Sequence, residues 1–148
     1  MGDDAFYDLY DKTWYSIDAY NVCSPKTYDE FGFDYQQALI SKVGGGLFHT
    51  HGTGIFHLLP KLAKLKDIGV IQVGRDLAYG SEKTIGTEHF EWFRSVTADI
   101  PLSIRVTKEE FQDGIKKKTL PTGVAYVCEV ADTEEANRLA YAAKAYRR

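Results

Sequence analysis

Residues 46–62 read Gly-Leu-Phe-His-Thr-His-Gly-Thr-Gly-Ile-Phe-His-Leu-Leu-Pro-Lys-Leu. A short apolar approach, Leu47 and Phe48, runs into His49 and His51 and then into glycines that can turn sharply. Leu58, Leu59, Leu62 and Leu65 follow Ile55 at the spacing of one helix face. The stretch therefore reads as strand, tight turn, helix, which is the repeating half of a parallel α/β fold. Side chains two apart on a strand point to the same face, so His49 and His51 are expected to project together from a strand end. Pro60 falls inside the helical pattern and predicts a kink, or two short helices meeting there.

The same alternation recurs on both sides. Upstream, Trp14–Val22 is the first strand candidate. Ser24-Pro25 then supplies a helix N-cap and a first-turn proline. Tyr28, Phe31, Tyr35, Ala38 and Leu39 make the stripe of the following helix, and Gly44-Gly45-Gly46 ends it before strand 46–51. Downstream, Ile68–Val73 is a nearly continuous apolar run, as expected of a strand covered on both faces. An aromatic helix at Glu88–Val96 and a strand at Ile100–Val106 come next. Thr107 and Glu110 form a capping box ahead of Phe111 and Ile115. Lys116, Lys117 and Lys118 are a solvated helix end, where cations suit the macrodipole. Strand Gly123–Val130 leads through the box-like Asp132 and Glu135 into a last helix faced by Ala136, Leu139, Ala140 and Ala143.

The expectation is thus an α/β domain of about five parallel βα units. An open doubly wound sheet and part of a (β/α)₈ barrel both satisfy the pattern. A complete barrel takes roughly 200–250 residues or more, and this chain of 148 is too short for one. That length suits one domain, residues 1–148. The hydrophobic fraction of 44% is enough to fill a core. The net charge of −3, with both signs spread along the chain, argues against a nucleic-acid surface. No apolar run is long enough to span a membrane. The acidic start Met1-Gly2-Asp3-Asp4 lacks a signal-peptide pattern. Cys23 and Cys128 form no disulfide framework of the secreted type, so a cytoplasmic protein with reduced thiols is expected.

In parallel α/β folds the site lies at the carboxyl ends of the strands. That rule selects Asp18, Tyr20 and Asn21 after the first strand, and His49 and His51 after the second. It selects Gln72, Arg75 and Asp76 after the third, Arg105 on the fourth, and Cys128 and Glu129 on the fifth. His49, His51, Asp76 and Arg105 are the candidates for chemistry, because imidazole titrates near neutrality and the charged groups can accept or place protons. Asp18, Tyr20, Asn21, Gln72 and Glu129 are the candidates for binding a small-molecule substrate. Both imidazoles suit zinc; Cys128 as thiolate is a candidate third ligand, with Asp76 or Glu129 completing or orienting the set. His57 and His89 read as helix residues rather than ligands. Gly52-Thr53-Gly54 stands where amides at a helix N-terminus can receive an anion.

Several pieces resemble, in order, the C-terminal portion of the uroporphyrinogen decarboxylase superfamily, which includes the corrinoid-dependent methyltransferases. Ser24-Pro25-Lys26-Thr27-Tyr28-Asp29-Glu30-Phe31 is similar to that family's SP-x-x-F-x-E-F helix start. Gly46–Gly52 resembles the strand ending in His-x-Cys-Gly, with His51 in place of the cysteine, and Leu58–Leu62 resembles the helix after it. Tyr126–Asn137 resembles the last strand and the TP-x-E-N start of the final helix. The resemblance covers about residues 14–145 and implies that the chain supplies roughly the last five strands of a TIM barrel. It also implies zinc held by His49, His51 and Cys128, methyl transfer to a thiol, and a corrinoid protein as partner. The arginine-rich motif of the decarboxylase is not found here, and His51 departs from the zinc-binding pattern by one thiolate. The other expectation is a non-catalytic or truncated barrel portion that self-associates or takes a partner chain, because incomplete sheets expose edges.

Overall fold

The computed structural model describes residues 14–16, 18–51, 54–74 and 86–146. Its strands are β1 (Trp14–Ser16), β2 (Leu47–Thr50), β3 (Val70–Val73), β4 (Leu102–Val106) and β5 (Val124–Cys128). Its α-helices are α1 (Asp18–Asn21), α2 (Pro25–Thr27), α3 (Phe33–Val43), α4 (Ile55–Leu62), α5 (Phe90–Thr97), α6 (Lys108–Lys117) and α7 (Thr133–Tyr146). A π-helical turn, Tyr28–Gly32, joins α2 to α3, and a 3₁₀ turn, Thr87–His89, opens α5. No helix among the described residues is long and apolar enough to cross a membrane.

All five strands are parallel and lie in chain order, β1-β2-β3-β4-β5. The described strands contain no reversal of order, so this is not the doubly wound arrangement. Successive right-handed crossovers that advance in one direction place every helix on one side of the sheet, and the packing agrees. Tyr15, Phe48, Ile71, Leu102 and Val124 form one cross-strand row. They join a single core with Ile40 of α3, Leu58 and Leu62 of α4, Phe93 of α5, Phe111 of α6 and Leu139 of α7. Fully burying each such side chain contributes on the order of 1.5–3 kcal/mol. The opposite face, on which no helix packs among the described residues (the helix-free face), carries a different row: Ser16, His49, Gln72, Ser103 and Ala125. The same face also carries the buried Leu47 and Val70, and it turns polar toward the carboxyl ends of the strands at Ser16, His49, Gln72 and Ser103, which places the candidate site.

Local signals explain most boundaries. Ser24 caps α2 by accepting the amide of Thr27 at 3.2 Å, with Pro25 in the first turn. Gly44 ends α3 at φ 85, a conformation that favours glycine. Thr107 and Glu110 close their capping box, and Asp132 and Glu135 exchange bonds with the amides of Glu135 and Ala131.

Two expectations need correction. The first strand was expected to run Trp14–Val22, but β1 stops at Ser16 and Asp18–Asn21 is helical. Tertiary contacts decide this: Tyr20 sets its ring edge-on to Tyr28, and Asn21 is drawn under Thr50. Of the two outcomes expected at Pro60, a kink or two short helices meeting, the second is not found: α4 is one helix through Pro60 and ends two residues later at Leu62.

Candidate functional site

The site starts at the carboxyl end of β2. His49 stands on the helix-free face, in register with Gln72 of β3. Its Nδ1 lies 2.7 Å from Gln72 Oε1. An amide oxygen only accepts, so Nδ1–H donates and the Nε2 lone pair is left facing outward. There it meets His51: the two Nε2 atoms are 3.2 Å apart, with ring centroids at 4.6 Å and planes crossed at 86°. In this tautomer pair His51 Nε2–H donates to His49 Nε2. The chain His51–His49–Gln72 has one direction, set by the carboxamide.

Gly74, immediately after β3, makes room for the pair. A Cβ there would lie 3.0 Å from His49 Cε1 and 3.4 Å from His51 Nδ1. Both rings are half-buried. Ser103, on the same face as Gln72 and one strand further on, is fully buried, and its hydroxyl has no hydrogen-bond partner. Neither Gly74 nor Ser103 was selected from the sequence. Gly74 shares the parity of Gln72 two residues earlier, a local signal, whereas Ser103 is placed only by the pairing of β3 with β4.

Arg105 is also on the helix-free face, two residues beyond Ser103, and pairs with Glu129 at 3.0 Å. With these side chains 41% and 72% exposed, the pair contributes little to stability but remains open to an anionic group. Gln72 thus joins the histidines, while Arg105 and Glu129 form a second polar cluster at the β4 and β5 ends.

Other selected residues lie elsewhere. Tyr20 packs on Tyr28 and donates to the carbonyl of Phe31 at 3.4 Å. Asn21 is buried on the helix side, where its Oδ1 accepts from the Thr50 hydroxyl at 2.8 Å. Asp18 belongs to α1. Arg75 and Asp76 lie outside the described residues. Cys128 is the main correction. It shares strand parity with Val124 and Tyr126 and packs against the helix-side core, whereas His49 faces the other way from β2. The structure does not bring its thiol to the imidazoles.

Zinc bonded to two imidazoles at ~2.0–2.1 Å in tetrahedral geometry holds their nitrogens about 3.3–3.4 Å apart. The hydrogen-bonded separation of 3.2 Å is close to that value, and His49 and His51 could share a metal through Nε2 once His51 moves its proton to Nδ1. Among the described residues no group of three or more His, Cys, Asp or Glu side chains could hold a metal. No protein family, curated protein or solved structure matches the chain.

Proposed function

We propose that this chain is a uroporphyrinogen decarboxylase-like unit whose small-molecule site lies on the helix-free face, with methyltransferase-type chemistry at His49 and His51. The observation that carries the reading is the facing pair of Nε2 atoms, 3.2 Å apart, with one ring oriented by Gln72. Parallel strands in chain order, with the described helices on one side of the sheet, support it, since consecutive units of a barrel have that form. His49 and His51 are the ligands proposed for zinc, which when bound lowers the pKa of a coordinated thiol and holds it as thiolate. Gln72 fixes the tautomer that presents His49 Nε2, a usual role for a group behind a metal ligand. Arg105 offers its guanidinium to an anionic substrate group, in exchange for Glu129. The methyl donor proposed is a corrinoid protein.

Cobalt(II) titration of the purified chain tests this. One equivalent per chain, lost in His49→Ala and in His51→Ala and kept in Cys128→Ala, is the expected result. Failure to bind cobalt or zinc stoichiometrically refutes the metal assignment.

A second reading, a barrel portion completed by self-association or a partner chain, is favoured by one observation. Among the described strands, β1 and β5 each pair on one side only. Light scattering that finds a stable monomer at micromolar concentration overturns it.

A further inference from the structure

Phe31 and Tyr35 belong to the apolar stripe read for the helix after β1, yet they do not reach the core. Tyr28 and Leu39 of that stripe pack there, while Phe31 and Tyr35 are 65% and 68% exposed. The cause is the flank of α3 that its neighbour takes. Gln37 donates to the carbonyl of Lys66 at 3.3 Å and accepts the amide of Lys66 at 2.8 Å, and Phe33 shares a groove with Lys61 and Lys64. Two residues turn a helix by about 200°, so Tyr35 leaves α3 on the side away from Gln37. That side looks past β1, which among the described strands pairs only with β2.

The other edge is built in the same way. α7 follows β5, which among the described strands pairs only with β4. Leu139 is buried in the core, Ala143 and Tyr146 wall a small cavity with Phe111 and Ile115 of α6, and Glu135 holds Lys108 of α6 at 2.9 Å. Tyr141 stands about 200° round α7 from Leu139 and is 73% exposed.

The charges beside these aromatic side chains are complementary and in matching order. Asp29 is held by Lys61. The remaining exposed charges from α2 into α3 are Lys26, Glu30 and Asp34, with Lys42 further on than the shorter α7 extends. Those exposed on α7 are Glu134, Arg138 and Lys144. Among the described residues Lys26, Glu30, Asp34, Glu134 and Lys144 form no ion pair, and Arg138 reaches Glu135 at 3.5 Å. The sheet grows by one repeated step, a parallel strand with its helix on the same side. Adding a copy by that step sets β1 of one copy beside β5 of another, and α3 beside α7 in the same direction. Lys26, Glu30 and Asp34 then run along Glu134, Arg138 and Lys144, each sign facing its opposite.

We propose that copies of this chain associate head to tail, with the Phe31 and Tyr35 face of one seated on the Tyr141 face of the next. This rests on the reading of the chain as a barrel portion completed by self-association, and it names the surfaces that meet. Both halves of the contact lie on one chain, so a second copy supplies what each edge lacks. The contact is heterologous: repeated, it closes a ring or extends as a filament, according to the rotation between copies.

Sedimentation velocity of the full chain across the micromolar range tests the contact, with two paired charge reversals. One is Glu30→Lys with Asp34→Lys; the other is Arg138→Glu with Lys144→Glu. All four side chains are exposed, so both variants are expected to melt close to the parent. Each alone is expected to associate at least about tenfold more weakly, because like charges then face each other. An equal mixture of the two is expected to recover the parent's association, since reversed α3 meets reversed α7 and unaltered α3 meets unaltered α7. Tyr141→Ser changes no charge and is expected to weaken association several-fold. A parent that stays monomeric throughout overturns both the contact and the self-association reading. A parent that associates while the reversals associate equally well, or while their mixture fails to recover, overturns the head-to-tail contact and leaves self-association through another surface standing.

Discussion

Replacing Gln72 with leucine tests the direction of the hydrogen-bond chain. Gln72 is 5% exposed and its Oε1 is 2.7 Å from His49 Nδ1. Leucine nearly conserves volume, so little cavity cost is expected. The main effect is loss of a buried acceptor opposite a ring N–H, which costs about 1–3 kcal/mol. His49 is only half-buried, so the lower part of that range applies. The same energy biases the tautomer: 1 kcal/mol is about a fivefold change in ratio. Long-range ¹H–¹⁵N correlation above the imidazole pKa reads this directly. In the parent chain His49 is expected as the Nδ1–H form and His51 as the Nε2–H form. In Gln72→Leu the His49 signal shifts toward Nε2–H, and denaturation in urea reports a loss near 1 kcal/mol. If His49 carries its proton on Nε2 in the parent, or the folded variant leaves the tautomers unchanged, the reasoning is wrong. Cobalt affinity provides a second readout: a ring free to change tautomer presents Nε2 less often, so binding weakens.

Two further predictions concern the frame around the site. Thr107→Ala removes the hydroxyl that accepts the Glu110 amide at 3.1 Å, and is expected to cost about 1 kcal/mol in chemical denaturation; no change would mean that α6 does not depend on its box. Tyr28 is fully buried and donates to Gln36 Oε1 at 2.5 Å. Burial, helped by the neighbouring Tyr20 and Asp29, pushes its hydroxyl well above the usual 10.0. A raised folded-state value means the neutral form is stabilised by folding, so that stability is complete below pH 10 and is lost as pH rises above it. Tyr28→Phe should cost about 1–3 kcal/mol at neutral pH and flatten the alkaline limb of a stability–pH curve; an alkaline limb identical to the parent's would refute the role of Tyr28.

What was readable from the chain came from local chemistry. Caps at Ser24, Thr107 and Asp132, the stop at Gly44, and the apolar periods of α4 and β3 each act within a few residues, so the parallel α/β class follows from them. The adjacency of His49 and His51 was equally legible, because residues two apart on an extended strand share a side. Pairings between distant segments were not. Whether β1 ended at Ser16 or ran on to Val22 depended on Tyr28 and Thr50, which lie beyond any local window.

Strand parity separates what the sequence by itself determined from what tertiary structure decided. It determined that polar groups gather at five strand ends, and that two imidazoles leave one of them together. Only the register decided that Gln72 and Ser103 share the face of His49 while Cys128 points into the helix-side core. The physical reason is that a strand's side chains alternate faces, so a shift of one residue in where a strand begins exchanges site for core. Nothing within a strand's own sequence settles that choice until its neighbours are paired.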